Sequence, residues 1–89
     1  MAEPVTEEEV LVEIRRVLTE EVGHPGPILP TQDLLRDLTL DSIGLITLVT
    51  GLEDRFRVIL TEEDASQVKT VGQLAALVTR RVGEGRTSP

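Results

Sequence analysis

The residues best able to do chemistry lie together in a short run, Asp41-Ser42-Ile43, at the predicted start of a helix. Asp41 suits the N-cap position, which leaves Ser42 as the first helical residue with its hydroxyl directed to solvent. A helix N-terminus presents unpaired backbone N–H groups and roughly half a positive charge, so it favours a phosphate group. A lone serine in a first turn is most often an ordinary surface residue, and its neighbours therefore decide the interpretation. Gly44 costs about 1 kcal/mol of helix propensity relative to Ala, and we expect it to leave room beside a group attached to the serine.

Two isoleucines of the same helix lie off the face that it is predicted to bury. At 100° per residue from Leu45, Ile43 falls at about 160° and Ile46 at about 100°. Exposed isoleucines beside a serine indicate a partner-binding surface. The apolar residues that share one direction within roughly 60° are Leu45, Leu48, Val49, Leu52 and Phe56.

The rest of the chain is also predicted to be helical, because no alternating strand pattern of useful length is present. The sequence therefore predicts an all-α fold, a small four-helix bundle with three long helices, one short helix and a long loop between the first two. Residues 33–38 are expected to form one turn that anchors this loop through Leu34, Leu35 and Leu38. The predicted helices run from the Thr6 cap to Gly23, from Asp41 or Ser42 to about Arg57, near residues 62–67, and from the Thr70 cap to Val82.

Length and composition limit the possible functions. The chain of 89 residues has 16 acidic and 9 basic residues, giving a net charge of −7 that disfavours nucleic acid and anionic membranes as partners. It has no cysteine and a single histidine, His24, so a conventional zinc site is not expected. Without a basic, apolar leader or an apolar run of roughly 20 residues, we predict a cytoplasmic location. We also expect the protein to be a monomer. We expect one free-standing domain over residues 1–89, folded over about 6–82, with a flexible tail at 83–89.

The chain resembles the acyl carrier protein superfamily over most of residues 6–82. The resemblance implies that Ser42 receives 4′-phosphopantetheine from coenzyme A through a separate phosphopantetheinyl transferase. It also implies that the arm supplies the thiol missing from this chain, and that substrates travel on it as thioesters, so the protein itself is not an enzyme. The residues that match the family pattern are Leu38, Asp41-Ser42-Ile43, Leu45, Leu48, Glu53-Asp54, Phe56, Thr61-Glu62-Glu63-Asp64, Thr70-Val71 and Leu74.

The resemblance also implies which residues contact partner enzymes. Members of the family commonly have an acidic residue five positions after the serine and an apolar one eight positions after it, where this chain has Thr47 and Thr50. Thr39-Leu40 likewise stands where fatty-acid carriers usually have a dipeptide that contains glycine. The partner-facing residues carried over from the family are Asp41, Ser42, Ile43, Ile46, Thr47, Thr50, Glu53 and Asp54.

These departures favour a discrete carrier of acyl or aminoacyl units in polyketide, nonribosomal-peptide or related secondary-metabolite synthesis. Its partners would be the transferase, a loading ligase or acyltransferase, and downstream synthases or transferases. The alternatives are an aminoacyl carrier loaded by a discrete adenylating ligase, similar to a D-alanyl carrier, a carrier for fatty-acid synthesis, and an unmodified helical interaction module. Residues 33–64 contain eight acids and three bases, a concentration that favours basic partner surfaces.

Overall fold

The computed structural model describes residues 5–86 and shows four helices around one aliphatic core. The first is α1 (Glu7–Arg16), which continues through a π turn (Val17–Glu21). It is followed by α2 (Ser42–Phe56), the short α3 (Glu62–Ser66) and α4 (Val71–Arg86). The predicted all-α class, with three long helices, one short helix and a long first loop, is confirmed.

The helix ends follow from the capping residues. The Thr6 side chain accepts a hydrogen bond from the Glu9 N–H, and Thr61 forms a reciprocal capping box with Asp64. The first helical segment stops at Gly23, whose φ of 82° lies in the left-handed region that glycine adopts without strain. At the other end of the chain, α4 continues through Arg86, four residues beyond the predicted end, and the remaining predicted tail at 87–89 lies outside the described residues.

The π turn was not predicted from the sequence. Its last hydrogen bond runs from the Val22 N–H to the Val17 carbonyl at 3.0 Å, five residues back rather than four. It packs against α2, where Gly51 allows the approach, because a Cβ at that position would come within 3.2 Å of Cγ2 of Val17. The helix that begins at Ser42 is therefore seated closely on the end of α1.

The core is built almost wholly from aliphatic side chains contributed by all the long helices and by the loop. Each fully buried aliphatic side chain contributes on the order of 1.5–3 kcal/mol before chain entropy is subtracted. Phe56, the one aromatic residue of the chain, is the last residue of α2 and is buried in the core. The buried core consists of Val10, Ile14, Val17, Leu18, Ile28, Leu34, Leu38, Leu40, Leu48, Leu52, Phe56, Val58, Val71, Leu74, Ala75, Val78 and Val82.

The long loop is held against the start of α4 by backbone hydrogen bonds. Asp33 and Thr70 form an isolated antiparallel bridge, and the Leu34 N–H donates to the Lys69 carbonyl at 2.8 Å. Residues 33–38 form the expected turn, in which Leu34 and Leu38 are buried. The prediction for Leu35 was wrong: its side chain is 62% exposed, because the turn directs it away from the core.

No helix within residues 5–86 is both long and apolar enough to cross a membrane.

Candidate functional site

Ser42 lies at the first position of α2 and is exposed to solvent. Asp41 caps the helix, since its Oδ1 accepts a hydrogen bond from the Gly44 N–H at 2.7 Å and its carbonyl accepts from the Leu45 N–H at 2.9 Å. Helical geometry leaves the N–H groups of Ser42 and Ile43 without a partner inside the helix. The hydroxyl and these two donors therefore form an open, electropositive helix end.

Gly44 is buried, and the space beside it is already filled. A Cβ at this position would lie 3.2 Å from Oδ1 of Asp41, 3.5 Å from the Leu40 side chain and 3.7 Å from Val22. The expectation that Gly44 leaves room beside the serine was wrong. Its lack of a side chain instead allows the Asp41 cap and the neighbouring apolar side chains to close over the first turn of α2.

The predicted partner face of α2 is exposed in its apolar part. The side chains of Ile43 and Ile46 are 74% and 63% exposed, as the helical wheel predicts. Thr47 is half-buried and its Oγ1 donates to the Ile43 carbonyl at 2.8 Å, whereas Thr50 is exposed. These four residues follow Ser42 along one side of the helix, and we name them the α2 face.

The two acids at the end of α2 differ in their surroundings. Glu53 is half-buried, and its Oε2 accepts a hydrogen bond from the Leu60 N–H at 2.9 Å, so it holds the connector that follows α2. Asp54 is exposed and accepts no hydrogen bond among the described residues. Of this pair, Asp54 has the carboxylate that is open to a partner.

Thr39, in the segment that leads into the cap, has a φ of 52°. A β-branched residue in the left-handed region is strained, by an amount of order 1–2 kcal/mol. The strain is held in place on both sides, because Leu38 and Leu40 are buried and the Leu40 N–H donates to the Leu34 carbonyl at 3.1 Å. This anchoring sets the point at which the chain enters α2.

An apolar cleft of about 660 Å³ lies beside α2, on the side opposite the π turn. Leu45 and Val49 line it from α2, and this explains why both are only partly buried although they belong to the predicted core stripe. Ala65 lines it from α3, Leu74 from α4, and the exposed Leu35 from the loop. Sequence reasoning missed this cleft because helical periodicity assigns residues to the core without showing where the core is incompletely filled.

Several acids near the site form internal hydrogen bonds. Asp33 accepts from the Arg36 and Leu35 N–H groups at 2.8 and 2.9 Å, and the hydrogen bond from Arg36 lowers the pKa of Asp33. Arg81 binds both carboxylate oxygens of Asp64 at 2.9 and 3.0 Å, which lowers the pKa of Asp64 to about 2. These acids hold turns and helices together and are not free ligands.

The sequence pattern of one protein family, the phosphopantetheine attachment site, matches residues 12–78. That match spans the π turn, all of α2 and α3, and half of α4. The chain belongs to the phosphopantetheine-binding acyl carrier protein family. As a member, this carrier protein bears a covalent 4′-phosphopantetheine group and interacts with a phosphopantetheinyl transferase and acyl-processing enzymes. Carriers of this family are not themselves enzymes.

Individual relatives agree with the family match. The carrier protein is 31% identical to the meromycolate extension acyl carrier protein of Mycobacterium tuberculosis (strain ATCC 25618 / H37Rv) over 78 residues, 86% of this chain and 68% of the relative. It is 30% identical to the acyl carrier protein of Kineococcus radiotolerans over 79 residues, 88% of this chain and 98% of the relative. A Rhodococcus erythropolis acyl carrier protein is 27% identical over 81 residues, 90% of this chain and 89% of the relative.

The N-terminal end of α2 suits the phosphodiester of such an arm. Ser42 is exposed, helical geometry leaves its N–H and that of Ile43 without a partner inside the helix, and the adjacent Asp41 carboxylate accepts a hydrogen bond from the Gly44 N–H. An anion at this position meets the positive end of the helix, and the hydrogen bond from the Gly44 N–H partly offsets the charge of the adjacent Asp41. When attached, the arm supplies the thiol on which acyl groups are held as thioesters, a group that the cysteine-free carrier protein lacks.

Proposed function

We propose that Ser42 is the attachment residue and that the protein carries acyl groups between enzymes on its phosphopantetheine arm. The observation that supports this is the exposed first-turn hydroxyl on an Asp41-capped helix, beside two N–H groups that have no partner inside the helix. Ser66, at the end of the five-residue α3, donates its hydroxyl hydrogen to the Glu63 carbonyl at 2.8 Å, and it has no comparable helix end. Ser88 lies outside the described residues.

Intact mass spectrometry tests the attachment. Apo protein is incubated with coenzyme A and a broad-specificity phosphopantetheinyl transferase, and it should gain the mass of one arm. Ser42→Ala should gain none, whereas the matched control Ser66→Ala should be modified as the wild type is. An arm on the Ser42→Ala variant would contradict the assignment and would direct attention to another serine.

We propose further that the cargo is an acyl chain with an apolar tail. Leu45 lies one helical turn after Ser42 and lines the apolar cleft between α2 and α3, which offers an apolar tail a place out of water. The Mycobacterium tuberculosis relative is named for meromycolate extension, which agrees with acyl cargo. The apolar part of the cleft favours an acyl tail, whereas the charged residues in its lining, among them Asp33, Arg36 and Lys69, keep a small polar aminoacyl group as the alternative.

The same transferase can be used to compare cargos, with octanoyl- and acetyl-coenzyme A as donors. In ¹⁵N-labelled protein the octanoyl form should shift the amide signals of Leu45, Ala65 and Leu74 relative to the acetyl form. The amide of Ile59, exposed and outside the cleft, is the internal control. Octanoyl and acetyl spectra that coincide at the three cleft residues would refute an apolar cargo held in the cleft.

We also propose that the protein acts in a secondary-metabolite pathway. It is supported by the uncharged α2 face, in which Thr47 and Thr50 occupy positions that are commonly acidic and apolar in the family. Mass spectrometry of the protein expressed with its native gene neighbours would identify the cargo. A simple saturated acyl chain would favour fatty-acid synthesis, whereas a polyketide or aminoacyl mass would favour the specialised pathways.

A further inference from the structure

The side of α2 that presents Ser42 has no charged side chain over three turns. Residues 42–52 contain neither acids nor bases, and the first acid after them, Glu53, is bonded to the Leu60 N–H. A partner that approaches the serine along the α2 face therefore meets isoleucine and threonine side chains between the Asp41 cap at one end and Asp54 at the other. Any negative charge beside the middle of this face must come from another element.

Glu21, at the end of the π turn, lies beside this face. It lines two hollows that flank Thr47. One, of about 560 Å³, is shared with Ile46 and Thr50 and is also lined by Glu13, Arg16, Asp54 and Arg55. The other, of about 410 Å³, is shared with Ile43 and Asp41. The side chain of Glu21 is 46% exposed, and that of Glu20 is 65% exposed. The close packing of Gly51 on Val17 brings this acidic turn next to the α2 face.

The acids of the turn are only partly neutralised. Arg16 binds Glu13 at 2.7 Å, Glu21 at 3.2 Å and Glu20 at 3.8 Å, so one guanidinium faces three carboxylates. Glu13 is the partner that is held most closely and is nearly buried, with a side chain 11% exposed. Glu20 and Glu21 can therefore accept a second cation from outside while Arg16 remains bound to Glu13.

We propose that enzymes which act on Ser42 dock across both elements, with apolar side chains on the α2 face and basic side chains on Glu20 and Glu21. The occupant is the basic surface of a protein, in the first place the phosphopantetheinyl transferase. Two concave hollows beside exposed isoleucines suit protruding side chains, and the net charge of −7 opposes a membrane or a nucleic acid. The proposal rests on the proposed function, because it concerns the enzymes that must reach Ser42.

The test is the transferase reaction with coenzyme A, measured as kcat/KM for the apo protein at low ionic strength. Glu20→Gln with Glu21→Gln should lower kcat/KM by about fivefold, as expected when two interfacial charges are removed. Glu7→Gln with Glu8→Gln is the matched control, since it changes the net charge equally at the opposite end of α1. Glu20→Asp with Glu21→Asp keeps the charges and should keep most of the rate.

Thermal melts establish that each variant is folded. A second experiment detects docking of the transferase without modification of Ser42. Adding the transferase without coenzyme A to ¹⁵N-labelled protein should shift the amides of residues 18–22 together with those of 43–50, and leave residues 7–12 unchanged. Equal rate losses in the two Gln pairs, or unshifted π-turn amides, would overturn the docking proposal while Ser42 is still modified. If wild-type protein gains no arm at Ser42, the proposed function itself fails.

Discussion

Thr39 and Arg57 have backbone conformations that suit glycine, with φ values of 52° and 55°. Thr39 lies two residues before the Asp41 cap, and Arg57 ends α2 at its other end. A strained residue therefore lies close to each end of the helix that presents Ser42, and its conformation persists because its neighbours are anchored. The strain at Thr39 is the larger because its side chain is β-branched.

Thr39→Gly is expected to stabilise the fold. Relief of left-handed strain should outweigh both the loss of the hydrogen bond from Thr39 Oγ1 to the Leu38 carbonyl at 2.7 Å and the greater unfolded-state entropy of glycine. We expect a gain of about 0.5–1 kcal/mol, which in a domain of this size raises Tm by several degrees, measured by circular dichroism. Thr31→Gly, in the same loop without positive φ, is the control and should lower Tm. A lower Tm for Thr39→Gly would mean that Thr39 is not strained.

The isoleucines of the α2 face and the leucines beneath it should respond differently to substitution. Ile43→Asp changes a side chain that is 74% exposed, so its stability should stay within about 1 kcal/mol of wild type while the transferase rate falls. Leu48 has no exposed surface, and Leu48→Ala should cost about 2–5 kcal/mol through the cavity it leaves. Urea unfolding alongside transferase kinetics separates the two effects. An unfolded Ile43→Asp protein would place that isoleucine in the core.

At the scale of elements, α3 is held in place chiefly by one ion pair. α3 has only five residues, none of them buried, so its own packing contributes little. Asp64 connects it to α4 through the two contacts with Arg81, at 2.9 and 3.0 Å, and also caps α3 through the Thr61 N–H. Because α3 and α4 line one side of the apolar cleft, this pair also defines the cleft wall.

The pair should be visible as a pH dependence of stability. Arg81 lowers the pKa of Asp64 from 3.8 to about 2, so the stabilisation is present above pH 3.8 and is lost as the pH falls through 2. Arg81→Gln should therefore lower Tm at pH 7, and its difference from wild type should shrink between pH 4 and pH 2. Arg80→Gln, next to it on α4, is the control. A difference that stays constant over this range would show that Arg81 acts by packing alone.

The sequence predicts the helices well because their signals are local. Caps at Thr6, Asp41 and Thr61 and the aliphatic periodicity depend on residues a few positions apart, and the structure places α2 at Ser42–Phe56 as expected. The π turn carries no such signal, because hydrogen bonds to the fifth preceding residue require no particular side chain. The hydrogen bond between Glu53 and the Leu60 N–H could not be predicted. The two residues are seven positions apart, and the sequence does not show the geometry of the turn between them.

At the scale of the whole molecule, the negative charge has two uses. Five of the eight acids in residues 33–64 accept internal hydrogen bonds from the described part of the chain and hold local structure. Their charge still contributes to the long-range electrostatic field that attracts a basic enzyme. Direct contact with the enzyme is made by the exposed acids. The five acids are Asp33, Asp37, Asp41, Glu53 and Asp64.

Association with the transferase should therefore weaken with salt. With a Debye length of about 8 Å at physiological ionic strength, several hundred millimolar NaCl should slow association by about tenfold relative to low salt. Asp54→Lys, at the free acid of α2, should slow association and flatten its salt dependence. Glu53→Lys should in addition lower Tm, because it removes the acceptor of the Leu60 N–H. Association rates that do not vary with salt in stopped-flow experiments would show that contacts of the α2 face, rather than charge, determine the association rate.

The π turn is also a place where the chain can lose one residue with little disturbance of the packing on either side. It holds one residue more than an α-helical path between Val17 and Val22 requires. Deleting Glu20 or Glu21 there would restore an ordinary helix with one carboxylate fewer beside Thr47, while the residues on either side would keep nearly their present orientation. Ser42, its cap and the rest of α2 would keep their sequence. Such a deletion would change the charge beside the α2 face at a site that lies about twenty residues before Ser42 in the sequence.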